Sequence, residues 1–158
     1  MDASSIIRKT GADRRLTPNF VDFAGERERF SWEAVGRELT TDAEQLAAAQ
    51  ELIAAGAARY VLVSKGARGA LLASRDGGRR FAPVPVPAGS GVGAGDAMVA
   101  GIAVGLIRGW ELSQAVRLGI AAGAAKLLTP GTAPCTREDT ERLFEQTDNP
   151  VDVNPVAG

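Results

Sequence analysis

The sequence predicts an α/β fold, and three observations carry that prediction. A capped amphipathic helix precedes a short β-branched run, and a glycine-punctuated turn then leads to a second apolar run. A glycine-rich loop finally opens two helical stretches built of small and apolar residues. Helix, strand, turn and strand followed by further helices is the alternation of a sheet packed by helices.

The elements can be justified in order. Ser4-Ser5-Ile6-Ile7-Arg8-Lys9 reads as the opening of a short helix that Gly11 stops before Leu16-Thr17-Pro18-Asn19. From Glu26 to Glu38 the chain is charged, with Phe30, Trp32 and Val35 loosely spaced for one face of a surface helix and loop. Thr41-Asp42-Ala43-Glu44 has the capping-box pattern, and Leu46, Ala49, Leu52 and Ile53 recur at helical spacing until Gly56 ends the run. Tyr60-Val61-Leu62-Val63-Ser64 is a strand, Lys65-Gly66-Ala67-Arg68-Gly69 a turn, and Ala70-Leu71-Leu72-Ala73 a second strand. Asp76-Gly77-Gly78 supplies another turn. Pro83, Pro85 and Pro87 then suit an edge strand or extended connector, because proline cannot donate to a central ladder.

The loop from Gly89 to Asp96 leads into Met98–Ile107, apolar nearly all round and therefore expected to be buried. Gly109 closes that helix. Ser113 to Leu128 is another, its Gly119, Ala121, Ala122, Gly123, Ala124 and Ala125 permitting close approach of a neighbour or ligand, and Pro130-Gly131 stops it. Thr136-Arg137-Glu138-Asp139 opens a last amphipathic helix through Leu143 and Phe144, and 150–158 reads as an aperiodic, flexible tail.

Composition narrows the function. Lys+Arg 18 against Asp+Glu 19, scattered along 158 residues, leaves no electrostatic footprint for nucleic acid. With His 0 there is no imidazole base, no Ser-His or Cys-His pair and no histidine-ligated metal. The lone Cys135 forms no intramolecular disulfide, the start lacks a basic-then-apolar leader, and no apolar run reaches the ~20 residues of a membrane span, so the expectation is a cytoplasmic, unanchored chain.

Chemistry concentrates in Gly89-Ser90-Gly91-Val92-Gly93-Ala94-Gly95-Asp96. Small residues at a helix entrance leave backbone N–H groups open, where the helix dipole places about half a positive charge, which makes an anion site. Asp96 sets a carboxylate in the first turn beside those donors. A base beside an anion hole suits phosphoryl transfer, the carboxylate deprotonating an acceptor hydroxyl while the amides hold the transferring phosphoryl group. On spacing alone a simpler role also fits, with Asp96 stabilising the first turn and the glycines permitting a tight bend. A Walker-type loop is excluded because no Gly-Lys-Ser or Gly-Lys-Thr follows. The G-x-G-x-x-A spacing from Gly89 to Ala94 lacks the buried strand that a dinucleotide site requires ahead of it.

Gly93-Ala94-Gly95-Asp96-Ala97-Met98-Val99-Ala100-Gly101 resembles the second signature of the PfkB or ribokinase-like carbohydrate kinases. Thr17-Pro18-Asn19, Val63–Ala70, Ala121–Ala125 and Pro130-Gly131-Thr132 follow the family's order, with wording closest to the 1-phosphofructokinase and tagatose-6-phosphate kinase branch. The resemblance implies the C-terminal, nucleotide-binding half of a three-layer α/β/α fold, a partial kinase domain over 1–149 without the N-terminal sugar-binding half and lid. It implies ATP and Mg2+, and a sugar phosphate of the fructose 1-phosphate, fructose 6-phosphate or tagatose 6-phosphate type as acceptor. Asp96 becomes the catalytic base, and the amides of Gly93, Ala94 and Gly95 the anion hole. Ser64, Lys65, Gly66, Ala67, Arg68 and Gly69 fall to the nucleotide, and Gly123 and Ala124 to the adenine pocket. Asn19 and Asp22 match an Asn-x-x-Glu that organises magnesium through water.

Three positions depart from the family pattern. Asp22 is one methylene shorter than the glutamate, Thr17 replaces a lysine, and Gly91 stands where a threonine or similar residue is usual. A half-domain leaves a strand edge and an apolar face uncovered, which implies a homo-oligomer or association with a chain supplying the other half. The alternative reading is a truncated, catalytically impaired nucleotide-binding or assembly module.

Overall fold

Thr41 starts the first helix as the sequence requires. The structure, a computed structural model, describes residues 39–154, so the expectations placed on Ser4–Lys9, Asn19, Asp22 and Glu26–Glu38 lie outside the described residues. The chain divides into two units: one runs through Lys65 and takes in Ala70–Arg80 and the segment from Val151, and the other holds Gly66–Gly69 and Phe81–Pro150.

In the first unit, helix α1 spans Asp42–Ala54. The Thr41 hydroxyl accepts from the Glu44 amide at 3.2 Å, and the Glu44 carboxylate accepts from the Thr40 and Thr41 amides, each at 2.9 Å, and from the Thr40 hydroxyl at 3.0 Å. The helix ends in a Schellman turn, with Gly56 N–H donating to Ile53 and Ala57 N–H to Leu52. Gly56 takes the left-handed φ of +76° that this turn demands.

Strands β1 (Val61–Ser64) and β2 (Ala70–Ser74) pair antiparallel, Val61 opposite Ala73 and Val63 opposite Leu71. These four side chains form the core with Leu46 and Ala49 of α1. Leu62 and Leu72 are buried as well, so both strands read as continuous apolar runs rather than alternating ones. Removing the Leu46 side chain, which is fully buried, costs about 2–5 kcal/mol on general grounds.

Strand β3 (Gly77–Phe81) follows β2 across the turn at Arg75-Asp76, and β4 (Val151–Val153) pairs antiparallel with β3, giving the order β1-β2-β3-β4. Neither β3 nor β4 is expected from sequence. Gly77-Gly78 reads as a turn, yet Gly78 sits in the strand, where an added Cβ would lie 2.7 Å from a Leu46 methyl and the leucine would have to shift. Within the 150–158 stretch read as tail, Val151 and Val153 belong to a strand too short to show a period. Asp42 joins the unit's charged groups, pairing with Lys65 through one oxygen and with Arg80 through the other. Burial works to raise the Asp42 pKa, but the hydrogen bonds and charges of Lys65 and Arg80 together outweigh it and hold the carboxyl below its usual range.

In the second unit, residues 82–91 carry no regular secondary structure and so form a connector rather than an edge strand, and three helices follow: α2 (Ala94–Ile107), α3 (Leu112–Leu127) and α4 (Arg137–Phe144). Helix α2 ends in a second Schellman turn, Trp110 N–H to Gly105 and Gly109 N–H to Leu106. It packs on α3 through small residues. A Cβ at Gly101 would lie 2.9 Å from Gly119 Cα and Ala122 Cβ, one at Gly105 would lie 2.8 Å from Ala115 Cα, and one at Gly119 would lie 2.5 Å from Ile102. The two backbones therefore touch almost directly.

The expectation that α2 is buried all round is corrected by that geometry. Its buried stripe is Met98, Gly101, Ile102 and Gly105, the i, i+3, i+4, i+7 set facing α3. Val99, Val104 and Ile107 on its other sides are 40%, 42% and 85% exposed. Helix α4 is capped by the Thr136 hydroxyl and is held to α3 by Arg117. That guanidinium lies 5.1 Å from the Phe144 ring and donates to Thr147 Oγ1 at 2.8 Å and to the Thr147 carbonyl at 3.0 Å.

Backbone and hydroxyl donors at Thr41 and Thr40 pull the Glu44 pKa from 4.5 to about 2. A depressed carboxylate stabilises the fold above its unfolded pKa and loses that contribution as the folded group titrates. Glu44→Gln is thus expected to lower the urea midpoint at neutral pH. The deficit should vanish as pH falls from 4.5 towards about 2. A midpoint difference that stays constant across the acidic range contradicts this assignment.

Candidate functional site

The glycine-rich loop is built on the end of α3. A Cβ on Gly89 would lie 2.0 Å from the Leu127 carbonyl oxygen, so the loop backbone rests directly on the last turn of α3. Ala94 N–H donates to the Gly91 carbonyl at 3.2 Å, closing a turn, and Gly93 caps α2 in the left-handed region at φ +82° without any side-chain cap. The first intrahelical bond is Ala97 N–H to Gly93 O at 2.9 Å. The amides of Gly95 and Asp96, ahead of it, are the first-turn donors that a helix leaves without internal acceptors.

This refines the expected anion hole of Gly93, Ala94 and Gly95, because the Ala94 amide is spent within the loop. Asp96 lies in the first turn of α2, exposed, on the same turn as the open donors. The ordinary attraction of a carboxylate to a helix N-terminus acts on it there. An exposed carboxylate can also meet a solvent-borne hydroxyl.

Gly123, expected in an adenine pocket, faces the same turn: a Cβ there would lie 3.2 Å from the Ala94 carbonyl oxygen and 3.7 Å from Met98 Cβ. Ala124 beside it is buried. Close packing of α3 on α2 is enough to explain both small residues. Gly66, Ala67 and Arg68 form an exposed 3₁₀ turn in the same unit. Gly69 ends it at φ +88°, with its N–H on the Gly66 carbonyl at 3.1 Å, and a Cβ there would sit 2.0 Å from the Phe81 carbonyl oxygen. Ser64 and Lys65 belong to the first unit, where the Lys65 ammonium is buried and paired with Asp42.

Sequence reasoning passed over Lys126. Its side chain lies in the last turn of α3, 5% exposed, and its ammonium donates to the Gly131 carbonyl at 2.8 Å and to Thr129 Oγ1 at 3.2 Å. The available signal was one cation inside an otherwise small and apolar stretch from Gly119 to Leu128. Among the described residues no group of three or more His, Cys, Asp or Glu side chains could hold a metal ion, and no helix is long and apolar enough to cross a membrane.

The profile of the pfkB family of carbohydrate kinases matches residues 28–139, which hold this loop and both helices. The chain belongs to that family. Among pfkB relatives, ATP-dependent 6-phosphofructokinase isozyme 2 of Mycobacterium tuberculosis is 62% identical over 121 residues, covering 77% of this chain and 36% of the relative. The 1-phosphofructokinase of Xanthomonas campestris is 39% identical over 122 residues, covering 72% of this chain and 38% of the relative. The crystal structure of phosphofructokinase-2 from Escherichia coli in complex with substrates and products superposes with a TM-score of 0.71 at 35% identity, covering 80% of this chain and 40% of that one. The ribokinase-like α/β fold is thereby established for this pfkB chain, which spans well under half the length of these relatives.

Two loop glycines separate close packing from mere flexibility. Gly89→Ala is expected to cost about 1–3 kcal/mol, because the new methyl overlaps the Leu127 carbonyl. Gly91→Ala, with nothing within 4 Å, is expected to stay within about 0.5 kcal/mol of the parent. Urea unfolding of the two variants checks this ordering, and equal losses would overturn it.

Proposed function

We propose that this chain carries the ATP-binding, phosphoryl-transferring part of a phosphofructokinase-type kinase. The reaction moves the γ-phosphoryl group of ATP to a hydroxyl of a sugar phosphate. Fructose 6-phosphate is the first candidate acceptor, because the relative that is 62% identical is named a 6-phosphofructokinase. Fructose 1-phosphate and tagatose 6-phosphate are the alternatives. The observation that carries this reading is the uncapped start of α2, where open first-turn amides and the exposed carboxylate of Asp96 share one turn.

In this mechanism Asp96 accepts the proton of the sugar hydroxyl as its oxygen attacks the γ-phosphorus, the bond from that phosphorus to the β-bridging oxygen breaks, and ADP leaves. The amides of Gly93 and Gly95 are assigned to the anion hole, with Gly95 the more available donor, whereas Ala94, whose amide is held by the Gly91 carbonyl, contributes only as part of the loop. Donors fixed in place before reaction stabilise developing charge without reorganising, which is usually the largest part of such catalysis. The Gly66–Gly69 turn, with Ser64 and Lys65 ahead of it, is assigned to the nucleotide, and Gly123 with Ala124 to its ring. Magnesium neutralises the triphosphate when bound, and Asn19 and Asp22 are assigned to its water shell. The exposed Val99, Val104 and Ile107 support association with a second copy or with a chain supplying a sugar-binding half. The cytoplasm is the proposed compartment.

Asp96→Asn is expected to lower turnover by about 10²- to 10⁴-fold while ATP affinity stays near that of the parent. Calorimetry with ATP and magnesium, together with a coupled ADP assay on the three sugar phosphates, measures both. Unchanged turnover in the variant would remove Asp96 from the chemistry. ATP binding without ADP release on any sugar would favour the binding-module reading.

A further inference from the structure

We infer that Lys126 is a positioning residue for this phosphate loop, its buried ammonium supplying fixed positive charge behind Gly93. The inference rests on the phosphoryl-transfer reading of the loop and assigns it a residue that the family resemblance did not.

Lys126 carries a charge with no ionic partner among the described residues. Lys126 is 5% exposed, and its ammonium meets only neutral oxygens, the Gly131 carbonyl and the Thr129 hydroxyl. The Thr129 hydroxyl lies 2.9 Å from the Lys126 carbonyl and 3.0 Å from the Ala133 carbonyl, so it too belongs to a neutral network. No carboxylate among the described residues forms an ion pair with Lys126, whereas the other buried lysine, Lys65, has Asp42. Burying an ammonium without a counter-charge is costly. Its place in the last turn of α3 offsets part of that cost through the helix dipole. A bound anion would supply the rest.

The position tells which anion. A Cβ on Gly93 would stand 3.4 Å from Lys126 Cε, so the lysine stem lies against the residue that opens α2. Gly89 approaches the Leu127 carbonyl and Gly123 the Ala94 carbonyl, so the C-terminal end of α3 lies close to the loop at two further points. One side chain thus links the Thr129–Gly131 turn to the loop and adds a full charge to the partial charge of the α2 N-terminus. A buried charge is screened less by salt than an exposed one, so its effect on a polyphosphate persists at physiological ionic strength. Adenosine, which has no phosphate, gains nothing from it.

The test compares the chain with Lys126→Met, a neutral side chain of similar length, and Lys126→Gln, which keeps an N–H donor for Thr129 and Gly131 but removes the charge. Calorimetry measures tripolyphosphate, ATP and adenosine, and urea unfolding confirms that each variant is folded. Both variants are expected to lose about tenfold in tripolyphosphate and ATP affinity with adenosine unchanged. Should Met at this position prevent folding, Gln alone reads the charge. A folded variant that binds tripolyphosphate as tightly as the parent overturns the inference. So does an equal weakening for adenosine and tripolyphosphate, which marks a purely structural lysine. Lys126-dependent tripolyphosphate binding without ATP binding would support the inference while refuting the kinase reading. A parent chain that binds neither phosphate compound overturns both.

Discussion

The contact on which the second unit depends is the near-touching of two helix backbones. Gly101, Gly105 and Gly119 leave no room for even one added carbon between α2 and α3. Because the glycine loop enters α2 over the end of α3, the helix separation also sets where the loop amides stand. A larger side chain on this seam would force the helices apart and lift the loop from its seat. Close approach of this kind strengthens dispersion contacts, which weaken steeply with small gaps.

The same arrangement brings opposite helix ends into one place. The start of α2 carries partial positive charge and the end of α3 partial negative charge. The Gly93 cap lacks a side-chain oxygen, so the exposed Asp96 carboxylate is the acidic group in the first turn of α2. The lysine at the α3 end shifts the balance towards positive. In the first unit charge is handled differently, since Asp42 meets Lys65 and Arg80 and closes its own account. The Asp42 group is ion-paired, whereas the Lys126 ammonium has neutral oxygens as its partners among the described residues.

Local chemistry was legible where it lies within a few residues. Thr41 with Glu44, Thr136 with Asp139, and the glycines at 56 and 109 mark helix ends by direct side-chain or backbone demands, and those ends stand where the sequence puts them. The β1–turn–β2 run was readable for the same reason. What escaped reading depends on partners distant in sequence. Gly78 lies in a strand against Leu46 of the distant helix α1, and β4 pairs with β3 some seventy residues away in sequence. Helix α2 looked buried on every side because its composition records hydrophobicity without recording how many neighbours are present. At the candidate site, the loop and Asp96 were visible as a motif, whereas Lys126 gained meaning only when its carbonyl partners and Gly93 came together in space. Asn19 and Asp22 lie beyond the described residues.

The turn at Gly66–Gly69 is held asymmetrically. At Gly69 the main chain of Phe81–Pro83 crosses so close that any side chain would collide, while Ala67 and Arg68 face outward. Substitution at Gly69 is therefore blocked by the crossing main chain, whereas the exposed Ala67 meets no such barrier. Divergence in what this corner contacts can arise from single substitutions, with the scaffold inherited intact.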